Sequence, residues 1–180
     1  MTSFKFIHTA DIHLKNINDD AYDTFVKIIS LTKNKNIDFL LIAGDLFDSA
    51  NPDKHLVDKV KELFEFINNC RVLITPGNHD PLVYNSPYLA EEWPENVFIF
   101  KEKLSFVTLG NIRFYGRAFT SHFEEDSLLA KIKLDGSYAN ILIMHGEVTT
   151  SSMYNPIPKN LLDEIGFDYC ALGHIHKPIA

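Results

Sequence analysis

Two kinds of apolar pattern alternate along the first half of the chain. Short continuous apolar runs are typical of strands that are buried on both faces of a parallel sheet. Between them lie longer segments whose apolar residues recur at helical spacing. The predicted strands are Phe4–Thr9, Phe39–Ala43 and Arg71–Thr75, and the predicted helices run from Asp20 to about Lys35 and onward from Pro52. This β-α-β-α-β order predicts an α/β fold with parallel strands and right-handed crossovers.

The second half of the chain has shorter apolar runs, separated by polar or glycine breaks. Such breaks predict antiparallel hairpins, formed here by Val97–Phe100, Leu104–Thr108 and Arg113–Gly116. The remaining predicted elements are a helix around Glu124–Lys133, a buried strand at Asn140–His145, a helix over Pro158–Ile165 that ends at Gly166, and a strand at Asp168–Leu172. We find no linker, so we expect one domain over residues 1–180.

Composition narrows the class of protein only slightly. The chain is 46% hydrophobic and 23% charged, which is ordinary for a globular protein. No apolar run is long enough to span a membrane, and no signal-peptide pattern opens the sequence. Cys70 and Cys170 do not form a CxxC pair, which disfavours a thiolate zinc site. A disulfide stays open, but two isolated cysteines favour buried thiols, and we expect a cytoplasmic location. The net charge of −7 argues against a broad basic face, although bound metals would reverse the local charge of a site.

Side chains that suit metal binding follow five of the predicted strands. In open α/β sheets, ligands bind at the carboxyl ends of the strands, so these side chains should meet at one edge. Carboxylates and imidazoles bind divalent metals of intermediate hardness, and Asn offers a neutral oxygen. The candidates are Asp11, His13, Asp45, Asp48, Asn78, His79, Asp80, His145, His174 and His176. Singly, each has an ordinary structural interpretation, but together they predict a metal site.

In chain order these residues form the motifs DxH, GDxxD, GNHD, a later His followed by Gly, and GHxH. The set resembles the calcineurin-like metallophosphoesterase superfamily from about Phe4 to Pro178. The resemblance implies a four-layer α-β-β-α sandwich with mixed sheets and a dinuclear metal centre that hydrolyses phosphoesters. The strings FIHTADIHL, IAGDLFD, TPGNHD and DYCALGHIHKP are most similar to SbcD-type DNA-repair exonuclease subunits. The phosphoprotein phosphatase pattern GDxxDRG and GNHE is not matched.

The resemblance also implies a role for each candidate. The first metal would be held by Asp11, His13, Asp45 and His176, and the second by Asp45, Asn78, His145 and His174, with Asp45 as the bridge. His79 would contact the phosphate and protonate the leaving oxygen. Asp80 would orient His79, and Asp48 would orient a ligand or water. We expect two divalent metal ions, Mn²⁺ first, with iron, Zn²⁺ or Ni²⁺ as alternatives.

Several functions remain open at this point. The first is a DNA nuclease with an SbcC-type ATPase partner and a homodimeric state. The alternatives are a small-molecule phosphodiesterase, for example for cyclic nucleotides, and a non-catalytic scaffold. SbcD-type proteins continue past GHxH, whereas this sequence ends at Ala180, so we expect the C-terminal strands and the capping domain to be absent.

Four further positions carry expectations about exposure and substrate contact. We expect the loop Thr149–Pro158 to lie near the site, with Tyr154 or Asn155 touching substrate. We expect His8 to be packed in the core and His122 to be a solvated surface residue.

Overall fold

The computed structural model describes residues 3–129 and 132–176, and these contain two four-stranded sheets. The first sheet is wholly parallel and contains β1 (Phe6–Thr9), β2 (Phe39–Ala43), β3 (Arg71–Thr75) and β4 (Val97–Ile99) in that order. The second contains β5 (Ser105–Leu109), β6 (Ile112–Gly116), β7 (Ala139–His145) and β8 (Tyr169–Gly173). In that sheet β5 and β6 are antiparallel, and the other pairs are parallel.

Four helices connect or flank the strands in the described part of the chain, and their ends follow local capping rules. They are α1 (Asp20–Asn34), α2 (Lys54–Phe66), α3 (Pro87–Ala90) and α4 (Lys159–Ile165). The Asp19 carboxylate accepts a hydrogen bond from the Tyr22 N–H at 2.7 Å, which caps α1. At the end of α4, Gly166 adopts the left-handed conformation with φ of 76°, as a C-terminal cap requires.

In the described ranges, three apolar cores separate four layers. Alternate residues of β2 point to opposite faces, so Leu40 and Ile42 pack with α1 and α2, while Leu41 packs between the two sheets. The third core lies on the outer face of the second sheet, where Leu142 packs beside Leu161 of α4. The order is therefore α-β-β-α, which confirms the fold class that the resemblance implied.

Two predicted elements are wrong. The run beginning at Val97 was expected in an antiparallel hairpin, but β4 pairs parallel to β3, with Val97 opposite Val72. Residues 124–129, 132 and 133 form no helix, and residues 130 and 131 lie outside the described residues. The reason is a tertiary contact. The backbone N–H of Leu128 donates to the Asn155 side chain, and the Leu128 side chain is buried against the second sheet.

Both cysteines are free thiols, as expected. Cys70 is buried and Cys170 is partly buried, and burial raises their pKa values to about 12 and about 11. None of the helices in the described ranges has the length and apolar character that a membrane crossing demands.

Candidate metal centre

The loops that follow β1 and β2 are hydrogen-bonded to each other, and this brings the first motifs together. The backbone N–H of Asp11 donates to the Gly44 carbonyl at 3.1 Å, and the N–H of His13 donates to the Asp45 carbonyl at 3.0 Å. Asp11, His13 and Asp45 all have φ of 53°, in the left-handed region that side chains rarely adopt. Strained backbone of this kind concentrates at functional sites, where surrounding structure holds it in place.

One group of candidate ligands consists of Asp11, His13 and His176, whose donor atoms lie within 4.8 Å of one another. His176 Nε2 is 3.5 Å from Asp11 Oδ1. The Asp11 carboxylate is also held in place, because the backbone N–H of His174 donates to both of its oxygens at 3.1 and 3.0 Å. The loops that follow β1 and β8 therefore meet at this group.

The second group surrounds the buried side chain of Asn78. Its Oδ1 lies 2.9 Å from His145 Nε2 and 3.2 Å from His174 Nδ1. His145 Nδ1 lies 2.8 Å from the Ala43 carbonyl, which can only accept, so Nδ1 carries a proton. That hydrogen bond directs Nε2 into the site, which is the usual orientation of a ligating imidazole.

The Asp45 carboxylate lies between the two groups and is 1% exposed. Its Oδ2 is 3.2 Å from His145 Nε2 and 3.8 Å from His13 Nε2, while Oδ1 accepts the backbone N–H of His79 at 2.9 Å. Burial alone raises the pKa of Asp45, but the hydrogen bonds from His145 and His79 outweigh it, so its pKa lies below the ordinary value. Burial also lowers the pKa of His145, and Asp45 reverses that direction.

Close backbone approach makes this arrangement possible. A Cβ added to Gly77 would lie 2.2 Å from Asp45 Oδ1, and one added to Gly44 would lie 2.2 Å from His145 Nδ1. Gly44 also has φ of 89°, which favours glycine. Any larger residue at either position would displace a candidate ligand.

The donor set fits divalent metal ions. Within the described residues neither ring nitrogen of His13 makes a hydrogen bond, although both are buried; their nearest acceptors are Asp48 Oδ1, 3.2 Å from Nδ1, and Asp45 Oδ2, 3.8 Å from Nε2. A buried nitrogen without a hydrogen bond is costly unless something else binds it. Burial lowers the pKa values of His13 and His174, which favours the neutral rings that ligate metals. With carboxylate, amide and imidazole donors converging, the residues suit two cations of intermediate hardness.

His79 stands at the solvent side of this centre, with 46% of its side chain exposed. Its ring packs edge-on against His13, with centroids 4.7 Å apart. The carboxylate nearest to it is Asp48, whose Oδ1 lies 3.9 Å from His79 Nδ1 and 3.2 Å from His13 Nδ1. Asp48 Oδ1 therefore lies within 4 Å of both rings.

Asp80 does not occupy the position expected for it. Its carboxylate is buried and accepts backbone N–H groups of Gly77 at 2.8 Å, Phe47 at 3.0 Å and Asp45 at 3.2 Å. The Tyr88 hydroxyl donates to it at 2.6 Å. These contacts connect the loop of the GDxxD motif to the loop of the GNHD motif. Asp80 therefore orients the backbone of both loops and not the His79 ring. Burial, followed by the charge of Asp45, raises the pKa of Asp80 to about 6.

Some residues near the site lie in loops whose sequence has no periodicity. The sequence pattern therefore did not place them at the site. His122 is exposed, as expected, and its Nδ1 lies 2.8 Å from the Asn78 carbonyl. It lines a cavity of about 330 Å³ beside His79, together with Phe123 and Tyr154. Asn155 is fully buried and its Nδ2 donates to the His145 carbonyl at 2.6 Å, so Asn155 supports the site and does not face substrate.

His8 lies away from these groups and is only partly buried. Its Nδ1 is 3.1 Å from the Tyr169 hydroxyl. The described geometry therefore gives it a packing contact and no place among the candidate ligands.

Comparison with known proteins identifies the same family that the order of the motifs indicated. The model of the calcineurin-like phosphoesterase family matches residues 4–178. The chain is 31% identical to the uncharacterized metallophosphoesterase YhaO of Bacillus subtilis (strain 168), over 98% of this chain and 50% of that protein. It is 27% identical to the DNA double-strand break repair protein Mre11 of Sulfolobus acidocaldarius, over 96% of this chain and 50% of the relative.

A third relative is the SbcD component of the nuclease SbcCD of Staphylococcus saprophyticus, 25% identical over 98% of this chain and 57% of that protein. The chain thus spans about half the length of the curated relatives that it matches. The family match covers nearly every described residue, including all ten site candidates. On this basis the chain belongs to the calcineurin-like phosphoesterase family.

Proposed function

We propose that this chain hydrolyses phosphodiester bonds of DNA at a dinuclear metal centre. The observation that supports this most strongly is the buried Asp45 carboxylate, which lies between the two groups of candidate ligands. Its Oδ2 is within 3.8 Å of His13 Nε2 and within 3.2 Å of His145 Nε2. A carboxylate with two oxygens in this position is suited to bridge two cations.

The proposed ligand assignments are those that the resemblance implies. Asp11, His13, Asp45 and His176 would hold the first cation, and Asp45, Asn78, His145 and His174 would hold the second; the short distances within each set support this. When bound, two divalent cations offset the charge on the phosphate and lower the pKa of a water molecule towards neutrality. Mixed nitrogen and oxygen donors suit Mn²⁺, iron, Zn²⁺ and Ni²⁺ alike, and we propose Mn²⁺ first because the family resemblance implies it.

His79 is the proposed proton donor. It is exposed towards the cavity, unlike the buried His145, and can therefore reach the oxygen that leaves the phosphorus. Asp48 Oδ1 lies 3.9 Å from its Nδ1. Asp80 acts at a distance, by fixing the loop that carries His79.

The names of the relatives support DNA as the substrate class, since one is a DNA double-strand break repair protein and another belongs to a nuclease. On the same basis we propose an SbcC-type ATPase as partner. We propose a homodimer as the assembly from the family resemblance alone. The two free thiols are consistent with a reducing compartment, and we propose the cytoplasm.

The deciding experiment measures Mn²⁺ binding by calorimetry and hydrolysis of both bis-p-nitrophenyl phosphate and single-stranded DNA. We expect Asp45→Asn to lose Mn²⁺ binding and both activities. We expect His79→Ala to keep its Mn²⁺ and to lose roughly 100-fold in kcat, because a general acid contributes about that much. The matched control His55→Ala removes an exposed imidazole on α2 and should behave as wild type.

A wild-type protein that binds two Mn²⁺ ions and hydrolyses neither substrate would contradict the proposal. A small-molecule phosphodiesterase is the second candidate, favoured by the net charge of −7, which repels a polyanion. Turnover of cyclic nucleotides and of oligonucleotides under the same metal conditions separates the two functions.

A further inference from the structure

A short row of aromatic rings leads from the candidate ligands to solvent. The Tyr154 ring lies 4.9 Å from the His174 ring, centroid to centroid, with 38° between the planes. The Phe123 ring lies 5.6 Å from Tyr154 at the same angle. Phe123 is 51% exposed, although a large apolar side chain gains nothing by facing water. We call Phe123 and Tyr154 the aromatic pair.

The two loops that carry the aromatic pair are hydrogen-bonded to each other. The backbone N–H of Glu124 donates to the Met153 carbonyl at 2.9 Å, and the N–H of Asn155 donates back to the Glu124 carbonyl at 2.6 Å. The Glu124 side chain also accepts from the N–H and hydroxyl of Thr120 at 3.0 and 2.8 Å. Because these bonds fix the backbone of both loops, a ligand that packs on the rings orders little additional backbone.

The aromatic pair lines the same cavity as Asn78 and His79, so a molecule bound there is continuous with the candidate metal centre. The cavity of about 330 Å³ is lined by no Lys or Arg among the described residues. Proteins usually bind nucleic-acid backbones with such cations. Where they are missing, stacking of bases on aromatic side chains is the remaining strong and sequence-tolerant interaction.

We propose that Phe123 and Tyr154 form a stacking site for an unpaired nucleobase beside the scissile phosphate. This inference rests on the proposed function and deepens it, because it assigns substrate recognition to the base as well as to the phosphate. The inference also predicts that the protein prefers single-stranded ends to a closed duplex. In a duplex each base stacks on its neighbours and is not available to the aromatic pair.

The kinetic test compares oligothymidylate with an abasic oligodeoxyribose phosphate of the same length. We expect Phe123→Ala to lower kcat/KM on oligothymidylate by about tenfold, the usual effect of losing one stacked ring, and to leave the abasic substrate within about twofold. Phe123→Trp keeps a stacking ring and should retain the wild-type preference. The matched control is Phe66→Ala, an exposed Phe at the end of α2. Equal losses on both substrates, or no loss on oligothymidylate, overturn the inference.

A binding test separates failure of the stacking site from failure of the proposed function. In Phe123→Trp, the new indole should lose fluorescence as phosphorothioate oligothymidylate binds, and should not respond to the abasic oligomer. The unmodified protein supplies the signal of Trp93 for subtraction. Quenching in a protein without nuclease activity would support the stacking site and refute the proposed function. No quenching up to about 1 mM oligothymidylate would overturn the stacking site, whether or not DNA is cleaved.

Discussion

At the scale of single residues, Tyr88 connects the apolar core to the candidate metal centre through one hydroxyl. That hydroxyl donates to the buried Asp80 carboxylate, which in turn accepts the backbone N–H of Asp45. Tyr88→Phe removes the donor and leaves one carboxylate oxygen less well satisfied. We expect a loss of about 2 kcal/mol in the free energy of unfolding, as for other hydrogen bonds to charged groups.

Urea denaturation measures that loss, and calorimetry should show weaker Mn²⁺ binding because the Asp45 loop is less well fixed. The matched control Tyr84→Phe removes a hydroxyl from a side chain that is 89% exposed and should change neither quantity. If Tyr88→Phe lost stability but kept full Mn²⁺ affinity, Asp80 would be a purely structural residue.

At the scale of elements, the two loops over the second sheet depend on Asn155. Its side chain donates to the His145 carbonyl at 2.6 Å and accepts the Leu128 N–H at 2.7 Å, and its backbone has φ of 52°. In Asn155→Ala the His145 carbonyl and the Leu128 N–H each lose a buried hydrogen bond, so we expect the free energy of unfolding to fall by about 3 kcal/mol. Hydrogen exchange should detect it as loss of protection at the Leu128 amide.

Asn85→Ala is the matched control for backbone strain, since Asn85 is exposed and has φ of 68°. This substitution should lower the free energy of unfolding by only about 1 kcal/mol. Comparable losses in the two variants would show that the Asn155 side chain contributes little. Retained protection at Leu128 in Asn155→Ala would point to the same conclusion.

What the sequence could predict at this scale depends on whether the signal is local. The strands β2 and β3 were predicted with their observed bounds because both faces are buried, which produces a continuous apolar run. The helix expected around Glu124–Lys133 was wrong because a side chain distant in sequence, Asn155, takes the Leu128 N–H. Likewise His122 and Tyr88 approach the site only through tertiary contacts, which no local pattern records.

At the scale of the whole molecule, the candidate ligands come from both halves of the chain. Asp11 lies after the first strand, and His174 and His176 lie after the last, so both sheets meet at the centre. A cation bound between them exists only in the folded protein, and binding to the folded state alone raises stability by mass action. Metal binding should therefore stabilise the entire fold and not one loop.

Thermal unfolding followed by circular dichroism tests this coupling. At free Mn²⁺ about 100 times the Kd, one site adds about 2.7 kcal/mol. For a domain of this size that corresponds to a rise in Tm of about 5 to 10 °C. Asp45→Asn should lose most of this rise in Tm, because the proposed bridge binds both cations. Asp23→Asn, at an exposed position of α1, should keep it. An equal rise in wild type and Asp45→Asn would mean that Mn²⁺ binds elsewhere, and the proposed centre would then have to be abandoned.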